Sequence, residues 1–237
     1  MQEAAVNTPE EQILYYQARA GEYDEWFYRL GRYDRGPEMN ERWFEEAARC
    51  MRELQTFEPV ERALELAAGT GIWTRELLKL ADCITAIDAS SEMLAINRAK
   101  LGSAATVSYE QANLFDWEPT AQFDLVSFTF WLSHVPPDLV ETFLSKVYRA
   151  TKPGGRVWMV DSKRTPTGGA MDQLVRNGDP YQDRKLNDGR TFRIVKVYYD
   201  CETLNDLFKQ AGFTANVRET PTYFIYAKAE RRSHSDT

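Results

Sequence analysis

From Arg62 onward the chain alternates short apolar runs with stretches whose apolar residues recur at helical spacing. Arg62-Ala-Leu-Glu-Leu-Ala is an apolar run that stops at a glycine turn, and the helical pattern Ile72, Leu77, Leu78 and Leu80 follows. That order predicts strand, turn, helix. It repeats with Cys83-Ile-Thr-Ala-Ile as strand and Ser91 to Ala99 as helix, where Ser90 supplies an N-cap. Thr106 to Gln111 predicts a third strand and Phe123 to Phe128 a fourth. Pro136-Pro137-Asp138 opens a helix that runs through Arg149 and stops at Lys152-Pro-Gly-Gly, before a fifth strand over Arg156 to Val160. Strands joined by helices imply a parallel sheet covered on both faces.

The flanking segments read differently. Glu10 to Leu54 is helical and aromatic, with two or three helices interrupted by a mobile connection from Gly31 to Pro37. After Asp161 a polar stretch runs to about Arg190 and includes Gly168-Gly169 and Asn177-Gly178-Asp179-Pro180. A loop of that length is expected to be either a functional lid or locally disordered. A strand near Thr191 to Tyr199, a helix from Glu202 to Gln210 and two short strands either side of Thr220-Pro221 complete the pattern. The expected architecture is one α/β domain: a doubly wound, mostly parallel seven-stranded sheet with an antiparallel edge strand and an N-terminal helical cap. Its parts are a helical lid over 1–58, a core over 59–161, a loop with C-terminal strands over 162–229, and a frayed tail over 230–237.

Composition narrows the function. A chain of 237 residues can bury a core of its own, and no apolar run reaches the roughly 20 residues of a membrane span. Met1 to Glu11 lacks the basic and apolar regions of a secretory signal, so a cytoplasmic location is expected. Cys50, Cys83 and Cys201 form no CxxC pair, and His134 and His234 are the two histidines, so neither a disulfide framework nor a metal centre is expected. A net charge of −7 argues against nucleic-acid partners. Arg184, Lys185, Arg190 and Arg193 form a local basic patch that suits a solvated surface or a small anion site.

The informative chemistry is the turn Leu66-Ala67-Ala68-Gly69-Thr70-Gly71. Glycines there let the backbone turn sharply and approach a ligand closely. Asp88 follows 17 residues after Gly71, at the end of the second strand, where a carboxylate can accept from both hydroxyls of a ribose. The pair points to a nucleoside-bearing cofactor, and by itself it fits NAD as well as S-adenosyl-L-methionine (SAM).

Resemblance separates the two. Glu65-Leu-Ala-Ala-Gly-Thr-Gly resembles the first motif of class I SAM-dependent methyltransferases, and Ile87-Asp-Ala-Ser-Ser-Glu-Met-Leu the second. Gln111-Ala-Asn-Leu-Phe is similar to their adenine-contacting motif, Phe123-Asp-Leu-Val to the substrate-side strand, and Lys152-Pro-Gly-Gly to the turn before strand five. These motifs stand in order across Arg62 to Asp161.

The resemblance implies a fold, a cofactor and a set of positions. Glu65 and the backbone around Ala67, Gly69 and Gly71 would lie against the methionine part of SAM, and Asp88 with Ala89 against the ribose. Met93 and Phe130 would flank the ligand, while Asn113 and the Leu114 backbone would recognise the adenine edge. Tyr15-Tyr16-Gln-Ala-Arg19-Ala is similar to a helix that closes over SAM, with Tyr16 and Arg19 on the methionine carboxylate. Two positions depart from the family. Ala67 replaces a common glycine, which a methyl tolerates where φ stays negative, and Asn113 replaces an aspartate but can still accept from an amino group.

Methyl transfer is an in-line displacement, so positioning supplies much of the acceleration. His134 in Phe130-Trp131-Leu-Ser-His134 lies beyond the end of strand four, where ligands of open α/β sheets bind, and is the candidate base if the acceptor must lose a proton. Tyr23, Trp26, Tyr28, Tyr33, Trp131 and Asp161 are candidates for the acceptor pocket. The expected activity is methyl transfer from SAM to a small molecule at oxygen, nitrogen or sulfur, leaving S-adenosyl-L-homocysteine (SAH). Aromatic or heterocyclic acceptors fit the aromatic segment, and the chain is expected to act as a monomer or homodimer without nucleic-acid or membrane partners. Protein methylation and a non-catalytic SAM-binding protein are the alternatives. An oxidoreductase would be expected to bring a separate catalytic domain, which the single α/β domain expected here does not offer.

Overall fold

A computed structural model of the chain describes residues 8–102, 106–173 and 180–233. The expectations for Asn177-Gly178-Asp179, His234 and the last residues of the tail lie outside that set. In chain order the strands are β1 (Val60–Leu66), β2 (Ala81–Asp88), β3 (Val107–Gln111), β4 (Phe123–Thr129), β5 (Thr151–Ser162), β6 (Tyr181–Lys185), β7 (Thr191–Val195), β8 (Phe213–Glu219) and β9 (Phe224–Arg231). The helices are α1 (Thr8–Arg19), α2 (Tyr23–Phe27), α3 (Pro37–Leu54), α4 (Ile72–Leu77), α5 (Ser91–Leu101), α6 (Val140–Ala150) and α7 (Cys201–Gln210).

Seven strands form one sheet in the order β3-β2-β1-β4-β5-β9-β8, parallel from β3 through β5. The chain winds outward from β1 to β3 and then returns to lay β4 on the other side of β1. The strand order therefore reverses at β1 and β4, and a crevice opens beyond their C-terminal ends. Ala63, Leu64, Glu65 and Leu66 of β1 are wholly buried, as a central strand covered on both faces requires. Leu64, Leu66 and Phe128 pack on Phe143 of α6 and Phe208 of α7, whereas Ala63, Leu125 and Trp158 pack with Trp43 of α3 and Trp73 of α4. The side-chain period of two along each strand feeds both layers.

Three expectations change in detail. The antiparallel strand is β9, and it lies between β5 and β8 rather than at the edge. Ile225, Tyr226 and Ala227 are buried on both faces and need that interior place, while β8 alternates buried Phe213 and Val217 with exposed residues and suits an edge. The strand expected over Thr191 to Tyr199 ends at Val195, and it leaves the main sheet to pair with β6, which lies inside the expected loop. Finally, the Gly31 to Pro37 connection is pinned. Arg32 donates to Asp172 at 2.9 Å and to the Lys185 carbonyl at 2.5 Å, and Arg35 donates to the Gly169 carbonyl at 3.0 Å.

The β6-β7 hairpin packs on α1 through Tyr15, Leu186 and Ile194, with the Tyr15 and Phe192 rings 5.6 Å apart. Gln12 ties the two together and to the sheet: its Oε1 accepts from Val195 N at 3.2 Å, and its Nε2 donates to the His134 carbonyl at 2.9 Å. Helix and hairpin thus form one cover over the crevice. Among the described residues no helix is long and apolar enough to cross a membrane, and no group of three or more His, Cys, Asp or Glu is placed to hold a metal ion.

Candidate active site

At the end of β1 the backbone enters the left-handed region at Ala67 (φ +55), Gly69 (φ +54) and Gly71 (φ +89). The expected negative φ at Ala67 is not what the turn adopts, and an L-residue there costs roughly 1–2 kcal/mol. The two glycines serve different ends. A Cβ on Gly69 would meet nothing within 4 Å, whereas one on Gly71 would lie 2.7 Å from Asn97 Oδ1. Gly69 therefore leaves open space for a ligand, and Gly71 lets α4 pack on α5.

Asp88 is built into this turn. Its Oδ2 accepts from Gly69 N at 2.8 Å and its Oδ1 from Ser90 N at 2.9 Å. Burial raises the carboxyl pKa, and hydrogen bonds from the Ser90, Gly69 and Ala89 backbone hold it back. Each oxygen retains a lone pair for a further donor. Ser90 caps α5 as expected, accepting from Met93 N at 3.1 Å.

A chamber of about 590 Å³ opens over Ala67, Gly69 and Asp88. Ala89 and Met93 from the start of α5 line it, as do Asn113 and Leu114 after β3, and Tyr16, Phe130 and Trp131 complete its walls. Asn113 is already engaged in its own turn: Oδ1 accepts from Phe115 N at 3.1 Å, and Nδ2 donates to Asp116 at 2.7 Å. Gln12, Ile13 and Thr129 also line the chamber without a signal in the sequence, and so does Ser90, which the sequence marks only as an N-cap. An acidic group beside an open glycine turn, with a buried methionine and an asparagine beyond it, fits the ribose and base of a nucleoside.

A second chamber of about 880 Å³ shares Tyr16, Tyr23 and Phe130 with the first. Phe130, like Ala67, holds a positive φ (+53), a backbone strain placed at the seam between chambers. Trp26 and Tyr33 line the second chamber, and Trp26 Nε1 donates to the Gly168 carbonyl at 2.9 Å, propping the strap over 165–170. Arg19 lines this chamber and not the smaller one. Arg35, Lys163, Arg184 and Lys196 join it from four separate segments, and of these the sequence had marked Arg184 alone.

His134 is buried in the same wall. Its Nδ1 lies 2.7 Å from the Val195 carbonyl, and its ring meets that of Tyr16 edge-on at 5.6 Å. Burial, followed by the positive charges of Lys196 and Arg184, pushes its pKa well below the usual histidine value, against the opposing pull of the Val195 carbonyl. Behind it Asp161, 1% exposed, accepts from Ser133 N at 2.9 Å and pairs with Lys196 at 3.2 Å, while Lys196 donates to Ser133 Oγ at 2.7 Å. Asp161 lines neither chamber and instead orients Lys196.

Other expected residues fall elsewhere. Tyr28 is 42% exposed, packs on Phe27 and lines neither chamber, because α2 turns it outward. Glu65 lies inside the sheet, wholly buried, and burial pushes its carboxyl up to about 8. The Thr74 hydroxyl eases that shift and the Asp88 charge adds to it. Trp131 faces the smaller chamber rather than the larger.

Comparison with known proteins places this geometry. A family model described as a methyltransferase domain matches residues 63–155. The chain is similar over nearly its full length to a protein solved as the DhpI-SAH complex: 35% identity, 97% of this chain and 99% of that one covered, TM-score 0.78. A DhpI-SAM-HEP complex gives 36% identity, 95% and 99% coverage and the same TM-score. The chain belongs to the class I SAM-dependent methyltransferases. Among curated relatives, the demethylmenaquinone methyltransferase of Lactococcus lactis subsp. lactis (strain IL1403) is 30% identical over 167 residues, 64% of this chain and 65% of that protein. The chain thus spans just under two thirds of that relative's length.

Proposed function

We propose that this chain transfers a methyl group from SAM to a small molecule held in the larger chamber. The observation that carries the reading is the shared wall: Tyr16, Tyr23 and Phe130 belong to both chambers, so a ligand in one abuts a ligand in the other. SAM supplies a methyl group already activated by its positive sulfur. Asp88 would accept from the ribose hydroxyls, Met93 would pack on the base, and Asn113 with the Leu114 backbone would meet its edge. Tyr16, at the seam, and Arg19, from the larger chamber, would hold the methionine carboxylate.

The protein's own contribution is orientation and exclusion of water. A well-oriented pair of reactants gains roughly 7–11 kcal/mol over a bimolecular encounter. The cover formed by α1 and the β6-β7 hairpin encloses the acceptor, which favours a small metabolite over a protein segment needing an open groove. His134 is held neutral and offers a ring lone pair toward the acceptor side, so it serves to position an acceptor group and is a weak base. Methyl transfer from labelled SAM to a panel of small acceptors, with a peptide library in parallel, tests the reading. Label in a small acceptor supports it; label in peptides alone would assign protein methylation. Tight SAM binding without transfer to any acceptor would assign a binding protein.

A further inference from the structure

We infer that the acceptor is a small oxyanion carrying two negative charges, an inference that rests on SAM occupying the smaller chamber. Among the described residues five cationic side chains line the larger chamber, Arg19, Arg35, Lys163, Arg184 and Lys196, and no aspartate or glutamate does. Two of the five are neutralised within the protein: Lys163 pairs with Glu219 at 3.0 Å, and Lys196 with Asp161 at 3.2 Å. The three guanidiniums are not. Among the described residues no carboxylate pairs with Arg19, Arg35 or Arg184.

Their hydrogen bonds are incomplete as well. Arg19, 8% exposed, sits among the rings of Tyr15, Tyr23 and Tyr33 and makes one long hydrogen bond, 3.4 Å to the Tyr33 hydroxyl. Arg35 donates to the Pro166 and Gly169 carbonyls, and Arg184 donates to the Gln173 side chain. In all three the Nε is buried without a partner. Arg19 is buried, and Arg35 and Arg184 are partly buried; a guanidinium drawn out of water with neither counter-charge nor full hydrogen bonding carries a cost that a ligand's acceptor oxygens and negative charge relieve.

The charge count sets the ligand. The methionine carboxylate of SAM answers one guanidinium, Arg19, and its ammonium and sulfonium add positive charge of their own. Two guanidiniums then remain for the acceptor, and a doubly charged oxyanion balances them. The chemistry balances without a base: an anionic oxygen forms the new bond to the methyl carbon, the carbon–sulfur bond breaks with its electron pair on sulfur, and no proton moves. A neutral His134 fits a site where no proton must be taken. The product, a methyl ester with one charge fewer, is held less tightly by Arg35 and Arg184 and so departs more readily.

Calorimetric titration of the SAH-loaded full chain with methylphosphonate, acetate and catechol in mildly alkaline buffer tests the inference. Methylphosphonate is expected to bind at least about tenfold more tightly than acetate, and catechol no more tightly than acetate, because each guanidinium–oxyanion pair lost removes a charge-assisted contact. Arg184→Gln or Arg35→Gln is expected to weaken methylphosphonate by about tenfold while leaving SAH affinity within about twofold. Malonate in a parallel titration separates one doubly charged head group from two separate carboxylates, and tight binding of either supports the charge assignment. Acetate or catechol binding as tightly as the dianions would overturn it, as would dianion affinity unchanged in both variants or no dianion binding to SAH-loaded protein. Failure of SAH to bind would instead strike the methyltransferase reading, and the same titrations on unloaded protein would still decide the charge of the larger chamber's ligand.

Discussion

The Nδ1 of His134 lies 2.7 Å from the carbonyl oxygen of Val195, so the proton of the neutral imidazole sits on Nδ1 and the lone pair on Nε2. Lys196, Arg184 and Arg19 surround the ring with positive charge, and Tyr16 stacks edge-on against it. Between the unfolded value near 6.5 and the lower folded value, the unfolded chain binds a proton that the folded chain does not. Stability therefore falls as pH drops through that window, by up to about 1.4 kcal/mol per pH unit for one proton. Denaturant titrations of wild type and His134→Asn below pH 6.5 check this: the variant is expected to show the shallower loss.

Glu65 predicts the opposite slope. Its carboxyl ionises near 4.5 when unfolded and at about 8 when folded, so across that window the folded state holds a proton the unfolded state lacks. Stability is lost as pH rises through it. In protein without cofactor, Glu65→Gln is expected to flatten the decline in Tm on the alkaline side. An unchanged decline would remove Glu65 as its source.

The two glycines of the turn are expected to separate under substitution. Gly71→Ala places a Cβ against Asn97 in a left-handed backbone and should cost about 2–4 kcal/mol in folding stability. Gly69→Ala meets open space, so it should cost about 1 kcal/mol from φ alone and act mainly on SAM affinity. Chemical denaturation together with SAM titration of both variants reads out the difference.

Asp88→Ala is expected to weaken SAM binding by at least about tenfold, since it removes a charged acceptor and releases Gly69 N and Ser90 N. Unchanged affinity would take Asp88 out of the site. Lys196→Met should destabilise the fold by about 3–5 kcal/mol by leaving Asp161 buried without its ion partner, and adding Asp161→Asn should recover much of that loss.

The lining of the smaller chamber is legible in the sequence because it is built from consecutive strand-to-helix turns. Ala67, Gly69, Asp88, Met93 and Asn113 each follow a strand of a parallel sheet, so reading the strands places them at one edge. The larger chamber is legible only in part: Tyr23, Trp26, Tyr33 and His134 are candidates from the sequence, whereas Arg35, Lys163 and Lys196 come from segments apart in the chain and converge through tertiary packing alone. The β6-β7 hairpin went unread since Gln182-Asp-Arg-Lys lacks apolar alternation, although Asn187-Asp188-Gly189, with Gly189 at φ +92, carries a hairpin turn signal. The sign of φ at Ala67 was misjudged because an alanine is ordinarily evidence against the left-handed region. Here the turn adopts it two residues before Gly69, whose N donates to Asp88 at 2.8 Å.

The most direct test of the central claim is calorimetric titration of the purified chain with SAM, SAH and NAD under identical conditions. Saturable binding of SAM and SAH with none of NAD is the predicted result. Binding of NAD with neither sulfur nucleoside, or binding of none of the three, would contradict the assignment of the chamber over Gly69 and Asp88.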